Sequence, residues 1–407
     1  MMLLEMAADG FGDRVALGPS DGGLTYRDLY DSAGAASVRF RADGGSHVAM
    51  ADLSSAALPV SLFGAAWAGL PFVPLNYRLT DDELAALASR ISPAIIIVDP
   101  DSPDRLTGID GIGLLSRRAL MDLVDGADPP EPEWDMTGEG TAIELFTSGT
   151  TGTPKGVCLS AEAMLQVADS LREACSPVDP QQHLILLPLA VLLDNLGAIT
   201  ALLNGASISV PTDTGLQGAQ INPARLLTVL NQSQPHSLIL VPQLLQGLLQ
   251  AADAGAPLPR SLRFVAVGGG RVAPSLLERA VRHGLPVFEG YGLSECASVV
   301  CLNRPGYNRP STVGQPLPHV QIRLAEDGEI MVRGARALGY LGEPPLTVDE
   351  WPTGDIGKLE DGYLSILGRK KNQFITAYGR NVNPEWVEAE VAAHPAIAQV
   401  LVYGEAL

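Results

Sequence analysis

At 407 residues the chain is too long for one simple core, and two or three domains are expected. Hydrophobic residues make up 46% of it, enough to bury a large interior, and a net charge of −19 argues against nucleic acid or anionic lipid as a partner. The plain reading of that acidity is solubility. The start, MMLLEMAADGFGDR, has no basic region before its short apolar stretch, so no signal peptide is expected. Apolar runs such as Leu184 to Leu193 are too short to span a bilayer. Cys158, Cys175, Cys296 and Cys301 are too few for a disulfide scaffold and form no zinc set, so reduced structural thiols in a cytoplasm are expected.

Taken along the chain, apolar runs of strand length alternate with segments of helical period. The runs predict strands at His47–Ala51, Phe72–Leu75, Ala94–Val98, Leu184–Leu187, Ser237–Val241 and Arg263–Val267. Between them the period predicts helices at Ser54–Ala68, Thr80–Arg90, Ala161–Ala174, Gln243–Ala254 and Pro274–His283. Thr80 with Glu83 forms a capping box, Pro274 opens a helix, and Gly255 and Gly284 stand where helices stop. Such alternation predicts stacked α/β layers. The acidic, proline-rich stretch 125–140 reads as an exposed connector, with Trp134 and Met136 its large apolar groups. After about residue 303 the pattern turns to short strands, Val320–Leu324, Glu329–Arg333 and Tyr363–Leu367, punctuated by Asp327-Gly328 and Asp361-Gly362. The last piece, Gln373 to Tyr403, reads strand, helix from Pro384, strand.

Five segments carry chemistry. Phe146 to Val157, FTSGTTGTPKGV, holds the hydroxyls of Thr147, Ser148, Thr150, Thr151 and Thr153, three glycines and Lys155, with no acid. Glycine lets backbone amides approach a ligand, hydroxyls add hydrogen bonds without charge, and a lysine supplies the cation a polyphosphate needs. The apolar run before it and the helical run after it place this cradle on a strand-to-helix loop. It is not the common P-loop, since Lys155 follows Pro154 and precedes Gly156. The bland alternative is a hydroxyl-rich surface turn. The second segment is Glu289 to Glu295, EGYGLSE, a glycine-flanked aromatic followed by a hydroxyl and a carboxylate, which suits a purine beside a metal-bound phosphate. The third is Gly268-Gly269-Gly270, a flat backbone surface. The fourth, WPTGDIG, offers Asp355, which otherwise reads as a turn aspartate, and the fifth, from Gly368, offers Arg369, Lys370 and Lys371, otherwise a solvated basic turn.

In this order and spacing the segments resemble the adenylate-forming superfamily of acyl-CoA synthetases, carrier-protein adenylation domains and luciferases. The stretch from YGLSE through RPGYNRPSTVGQPLPHVQIRLAEDGEIMVRGARALGYLGEP is most similar to long-chain acyl-CoA synthetases, as is the closing VLVYGEAL. The resemblance implies an α/β fold: a large N-terminal domain of stacked layers over 1–367, with a β-rich subdomain at about 303–367. A hinge at 368–371 and a partial α+β C-terminal domain over 372–407 follow. It implies ATP, Mg²⁺ and CoA as cofactors and a carboxylic acid, of fatty type, as substrate. ATP binding falls to Thr147, Ser148, Gly149, Thr150, Thr151, Gly152, Lys155, Gly269, Gly270, Glu289, Gly290, Tyr291, Gly292, Ser294, Asp355 and Arg369. Within that set Tyr291 stacks on adenine, Ser294 lies near the α-phosphate, Glu295 holds Mg²⁺ and Asp355 accepts the ribose hydroxyls. Lys155, Ser294 and Glu295 are the implied catalytic residues, Lys371 the hinge, and Val191, Gly268 and Gly270 the acyl pocket. Gly270-Arg271 stands where the family has a small residue and proline, and Ala190-Val191 where it has a pocket-gating histidine or aromatic. The family's C-terminal domain runs on to a lysine in a Gly-Lys turn that this sequence lacks, so a truncated chain is the expectation. Two alternatives stay open: transfer of the acyl group to carrier-protein phosphopantetheine, and a non-catalytic protein binding ATP or acyl-adenylate.

Overall fold

Parallel strands need crossovers, and the helical segments supply them. The computed structural model describes residues 2–19, 22–131, 140–147, 154–211, 213–217, 220–375, 381–394, 397 and 399–404, in two units. Unit one comprises Met1–Ala168, Gln181–Asp213 and Ala337–Leu346. Its main sheet has seven strands in the order Gly339–Tyr340, Lys155–Ser160, Thr141–Thr147, Phe72–Pro74, His47–Ala51, Ala94–Val98 and Ile112–Ser116. The last five run parallel, and the inner three, Phe72–Pro74, His47–Ala51 and Ala94–Val98, are almost wholly buried because helices cover the sheet. All five residues of Ala94–Val98 are buried. The helices Tyr26–Ala42 and Ala57–Ala68 meet through small residues. A Cβ on Gly64 would lie 2.9 Å from Ala36 Cβ and 3.0 Å from the Phe40 ring, so glycine sets their approach. The Thr80–Glu83 capping box is formed, with the Glu83 carboxylate accepting from the Thr80 amide at 3.0 Å.

Unit two comprises Asp169–Pro180, Thr214–Arg336 and Thr347–Leu407. Three parallel strands, Ser237–Leu240, Phe264–Val267 and Val287–Tyr291, continue into the antiparallel pieces Cys301–Leu302 and Gln315–Pro316. The helices Pro223–Ser233, Pro242–Asp253 and Pro274–Arg282 each start on proline, whose fixed φ suits a first helical turn. Gly255 and Gly284 follow two of them at φ +90° and +68°. A four-stranded antiparallel sheet orders Val320–Leu324, Glu329–Gly334, Trp351–Glu360 and Tyr363–Arg369 over a core of Ile330, Val332 and Leu364. The pair Phe374–Ile375 and Asn381–Val382 and the helix Pro384–Ala392 follow. The expected α/β alternation is therefore present, and among the described residues no helix is long and apolar enough to cross a membrane.

Three local readings need correction. Lys155 does not lie on a loop leading into a helix. It opens a strand, Lys155–Ser160, that forms a hairpin with Thr141–Thr147, and the helix starts only at Ala161. Val157 and Leu159 are fully buried on that strand, and Gly339–Tyr340 pairs its other edge from about 180 residues away, a partner no local pattern reveals. The strand expected at Leu184–Leu187 is Gln182–Leu184. Beyond it, the Asp194 carboxylate takes the amides of Leu186 and Leu187 at 2.9 and 2.7 Å, removing the donors a ladder needs. Asp355 sits inside the ten-residue strand Trp351–Glu360, so the plain alternative of a turn aspartate does not hold. Residues 399–404 form no strand.

Tyr26 is fully buried, and its hydroxyl donates to the Ala206 carbonyl at 2.7 Å. Tyr26→Phe keeps the ring but strands that carbonyl, and should cost about 1–2 kcal/mol. A lower denaturation midpoint at unchanged slope is the expected readout.

Candidate active site

The carboxyl ends of the parallel strands in unit two frame the site. Phe264–Val267 ends on Gly268, whose amide donates to the Leu240 carbonyl at 3.1 Å. Gly269 follows at φ +76°, a conformation only glycine adopts readily, which turns the chain across the strand ends. The next strand, Val287–Tyr291, runs out into Gly292. A Cβ there would lie 1.6 Å from the Ser298 carbonyl oxygen, so the position admits glycine alone. The loop then folds back tightly, with Ala297 at φ +52° and Ser298 at φ +81°. Two successive left-handed non-glycine residues store strain directly after Cys296, as functional loops often do.

A cavity of about 310 Å³ lies at these strand ends, within the range of small-molecule sites. It brings together Gly269, Gly270, Glu289, Gly290, Tyr291 and Gly292 from the strand ends. Asp355 and Arg369 come to it from the antiparallel sheet. There the register sets Asp355 opposite Arg369. Asp355 is only 4% exposed, and its carboxylate accepts from the Tyr291 hydroxyl at 2.6 Å and from Arg369 Nε at 2.9 Å. Its own amide donates to Thr353 Oγ1 at 3.1 Å.

Burial pushes the Asp355 carboxyl up, against the Tyr291 hydrogen bond and the Arg369 charge, which pull it down. Burial and then the Asp355 charge push the Tyr291 hydroxyl well above its ordinary range, so it stays a donor. Burial likewise raises Glu289 to about 7, opposed by the Arg271 guanidinium and the Val272 amide. The cavity thus offers an aromatic ring, backbone edges, a carboxylate with spare lone pairs and two guanidinium groups. That set suits a flat heterocycle joined to a polyhydroxyl group.

Other predicted residues stand elsewhere. Ser294 and Glu295 are half-buried on the single turn Ser294–Cys296 past Tyr291, outside the cavity lining. Cys296 beside them is buried, and burial raises its thiol to about 12. Lys371 is exposed just beyond the strand Tyr363–Arg369, while its neighbour Lys370 pairs with Asp327 at 2.5 Å and Glu329 at 2.8 Å. In unit one, Lys155 pairs in register with Thr147 and holds its ammonium 4.5 Å from the centre of the Tyr340 ring. Val191 is the half-buried residue before the helix Leu192–Leu203. Ser148, Gly149, Thr150, Thr151, Gly152 and Thr153 lie outside the described residues. Arg271 and Ile366 also line the cavity, and Arg271 donates to the Ile366 carbonyl at 2.9 Å. Arg271 was visible in the sequence as a departure from the family's proline, but Ile366 carries no chemical signal.

The sequence profile of the AMP-binding enzyme family matches residues 4–341. The chain belongs to that family. A methyl-dioxo-octahydroindenyl propanoyl:CoA ligase of Rhodococcus jostii is 29% identical over 98% of the chain and 85% of its own length. A long-chain-fatty-acid–CoA ligase of Mycobacterium bovis is 29% identical over 75% of the chain, which spans 58% of that protein. In fold, the O-succinylbenzoate coenzyme A synthetase of Bacillus subtilis, solved with ATP and magnesium ion, matches at a TM-score of 0.82. It is 24% identical over 98% of this chain and 85% of that one. Relatives of this AMP-binding enzyme are thus CoA ligases, which form an acyl-adenylate and then a CoA thioester and use ATP, Mg²⁺ and CoA. The donors here fit those groups. Asp355 has lone pairs left for further hydroxyl donors, and the half-buried Glu295 is a carboxylate of the kind Mg²⁺ takes one or two of while completing its shell with phosphate and water.

Glu289 gives a stability test. A carboxyl raised from its usual 4.5 to about 7 favours folding when protonated. That stabilisation is present below pH 4.5 and is lost as pH rises through 7, by about 3 kcal/mol at most. Glu289→Gln should flatten the wild-type fall between those values in denaturation followed across pH.

Proposed function

We propose that this chain joins a carboxylic acid to ATP to give an acyl-adenylate and pyrophosphate, then passes the acyl group to CoA. The observation that carries this reading is the Tyr291–Asp355–Arg369 network on the wall of the strand-end cavity. Tyr291 supplies a face for adenine and Asp355 accepts the ribose hydroxyls, with Arg369 holding the Asp355 charge in place. Gly269, Gly270, Glu289, Gly290 and Gly292 form the backbone edges around the nucleoside. Gly268, Gly270 and Val191 border the acyl group, and the acid is of fatty type.

In the first step a carboxylate oxygen attacks the α-phosphorus as the bond to pyrophosphate breaks. The difficulty is bringing two anions together, since unit charges at contact repel by ~1 kcal/mol in water and about 4 kcal/mol at an effective dielectric of 20. Residues 147–153 give amides and hydroxyls to the leaving pyrophosphate, and Lys155 gives it a cation. Ser294 donates near the α-phosphate, and Glu295 is the carboxylate for Mg²⁺, which when bound neutralises phosphate charge. In the second step a thiol displaces AMP. Residues 1–367, with the β-rich part from about 303, make up the adenylating domain, and 368–371, with Lys371, the hinge to 372–407. CoA and carrier-protein phosphopantetheine present the same thiol, so both acceptors belong in the assay. Four buried unpaired thiols suit a reducing compartment, and a cytoplasmic location is our assignment.

Glu295→Ala should abolish acid-dependent pyrophosphate exchange, and wild-type rates in that variant would remove the Mg²⁺ role. Lys155→Ala should raise the KM for ATP more than that for the acid. Asp355→Asn, which weakens hydrogen bonds from hydroxyls to a charge, should raise the KM for ATP by about 10- to 100-fold. An unchanged KM for ATP would move the ribose elsewhere.

A further inference from the structure

Unit one carries a second strand-end crevice that the adenylation reaction leaves unused. From His47–Ala51 the chain crosses to Phe72–Pro74 on one side. From the adjacent Ala94–Val98 it crosses to Ile112–Ser116 on the other. The loops leaving these two neighbouring strands diverge. In open α/β sheets that switch of direction opens a binding crevice beyond the carboxyl ends. A cavity of about 110 Å³ lies there, lined at its polar end by Asp52, which follows one strand, and Asp99, which follows the other. One liquid water occupies ~30 Å³, so the space holds a molecule of a few non-hydrogen atoms.

Asp52 is the informative group. It is 1% exposed, and its Oδ1 accepts from the Leu53 amide at 2.6 Å and from Arg117 at 2.8 Å. Its Oδ2 is buried and has no hydrogen-bond partner. A carboxylate oxygen in that state costs free energy unless a donor meets it. The nearby guanidinium groups already have partners. Arg117 holds Asp52 and lies 3.7 Å from Asp99, while Arg105 binds Asp81 at 2.7 Å and the carbonyls of Tyr77 and Leu79 at 2.6 Å each. Asp52, Asp99 and Arg105 are the charged groups of the lining, and with Arg105 paired to Asp81 and Arg117 to Asp52 the uncompensated charge at the wall is acidic, which disfavours an anion. Among the described residues no set of three or more ligands suits a metal ion. The remaining walls include Leu53, Leu84, Val98 and Leu106, with Tyr77, Ser102 and Arg105 beside them, so an occupant meets carbon as well as polar atoms.

We propose that this crevice binds a small primary alkylammonium, with its N–H donors shared between Asp52 Oδ2 and the Asp99 carboxylate and its carbons against the leucines. Burial, and the Asp99 and Asp101 charges, already push the Asp52 carboxyl up to about 6 against Arg117 and the Leu53 amide, so an added cation relieves an existing cost. Three N–H donors on one nitrogen match two carboxylates, a geometry that an alcohol of equal size lacks.

Calorimetric titration of the full chain with propylammonium chloride, at mildly alkaline pH where Asp52 is ionised, tests this. Saturable binding with a Kd on the order of 1 mM is expected, together with a raised unfolding temperature. Propanol and sodium chloride should do neither. Asp52→Asn, equal in shape but uncharged, should weaken binding at least tenfold. Ser102→Met, which leaves both carboxylates intact and fills the cavity, should do the same and covers the case that the first variant folds poorly. Three outcomes overturn the proposal: no saturable binding, an equal response to sodium chloride, or wild-type affinity in both variants. The first would mean that ordered water alone occupies the crevice.

Discussion

The candidate active site hangs on one buried charge. Asp355 lies within a strand, almost closed to solvent, where an unpaired carboxylate would be strongly unfavourable. Two neighbours resolve this from different elements: the Tyr291 hydroxyl at the end of a parallel strand, and Arg369 across the antiparallel ladder. The compensation works only if the register between Trp351–Glu360 and Tyr363–Arg369 is kept. A slip of one residue would turn Asp355 and Arg369 to opposite faces and leave the charge alone. Fold and binding chemistry therefore constrain each other at this point. Glu329 reinforces the register by accepting from the Gly354 amide at 2.9 Å and from Lys370 at 2.8 Å. The alternation of acids and bases along these strands holds the carboxylate ready without a ligand.

Backbone geometry contributes as much as side chains. Gly292 is fixed by close approach of the Ser298 carbonyl, and Gly269 by its left-handed turn with no contact nearer than 3.6 Å. The first glycine is a packing requirement and the second a conformational one, although both read as the same letter in sequence. Between them they set where Tyr291 ends and where amide edges face the cavity. A side chain at either place would disturb the site before any chemistry was lost.

What the sequence disclosed, and what it hid, follows from how local each signal is. The strand His47–Ala51 and the Thr80–Glu83 cap are written in adjacent residues, and the structure has both where the pattern puts them. Helix Tyr26–Ala42 has no clean period because small residues line the face where it meets Ala57–Ala68, and it escaped the sequence reading. The strand Lys155–Ser160 escaped for another reason: its edge partner, Gly339–Tyr340, is remote in sequence. At the candidate site, the chemical letters Tyr291, Asp355 and Arg369 stood out singly. Their hydrogen bonds depend on sheet order and register, which single-residue chemistry does not encode. Ile366 is silent altogether, since it serves the cavity through an apolar side chain and a carbonyl.

Both units place polar groups just beyond the carboxyl ends of parallel strands, and the cause is common. Strands buried on both faces are largely apolar, so polar groups collect at their last residues and in the loops that follow. Asp52 follows Ala51 in this way, Asp99 follows Val98, and Glu289 and Tyr291 close Val287–Tyr291. Diverging crossovers then leave space in front of these residues. The pairing of each group decides what it does. Asp355 and Tyr291 line a cavity yet are paired without a ligand, which suits repeated binding and release. Asp52 is equally closed to solvent but only half satisfied, which leaves one oxygen for a donor from an occupant.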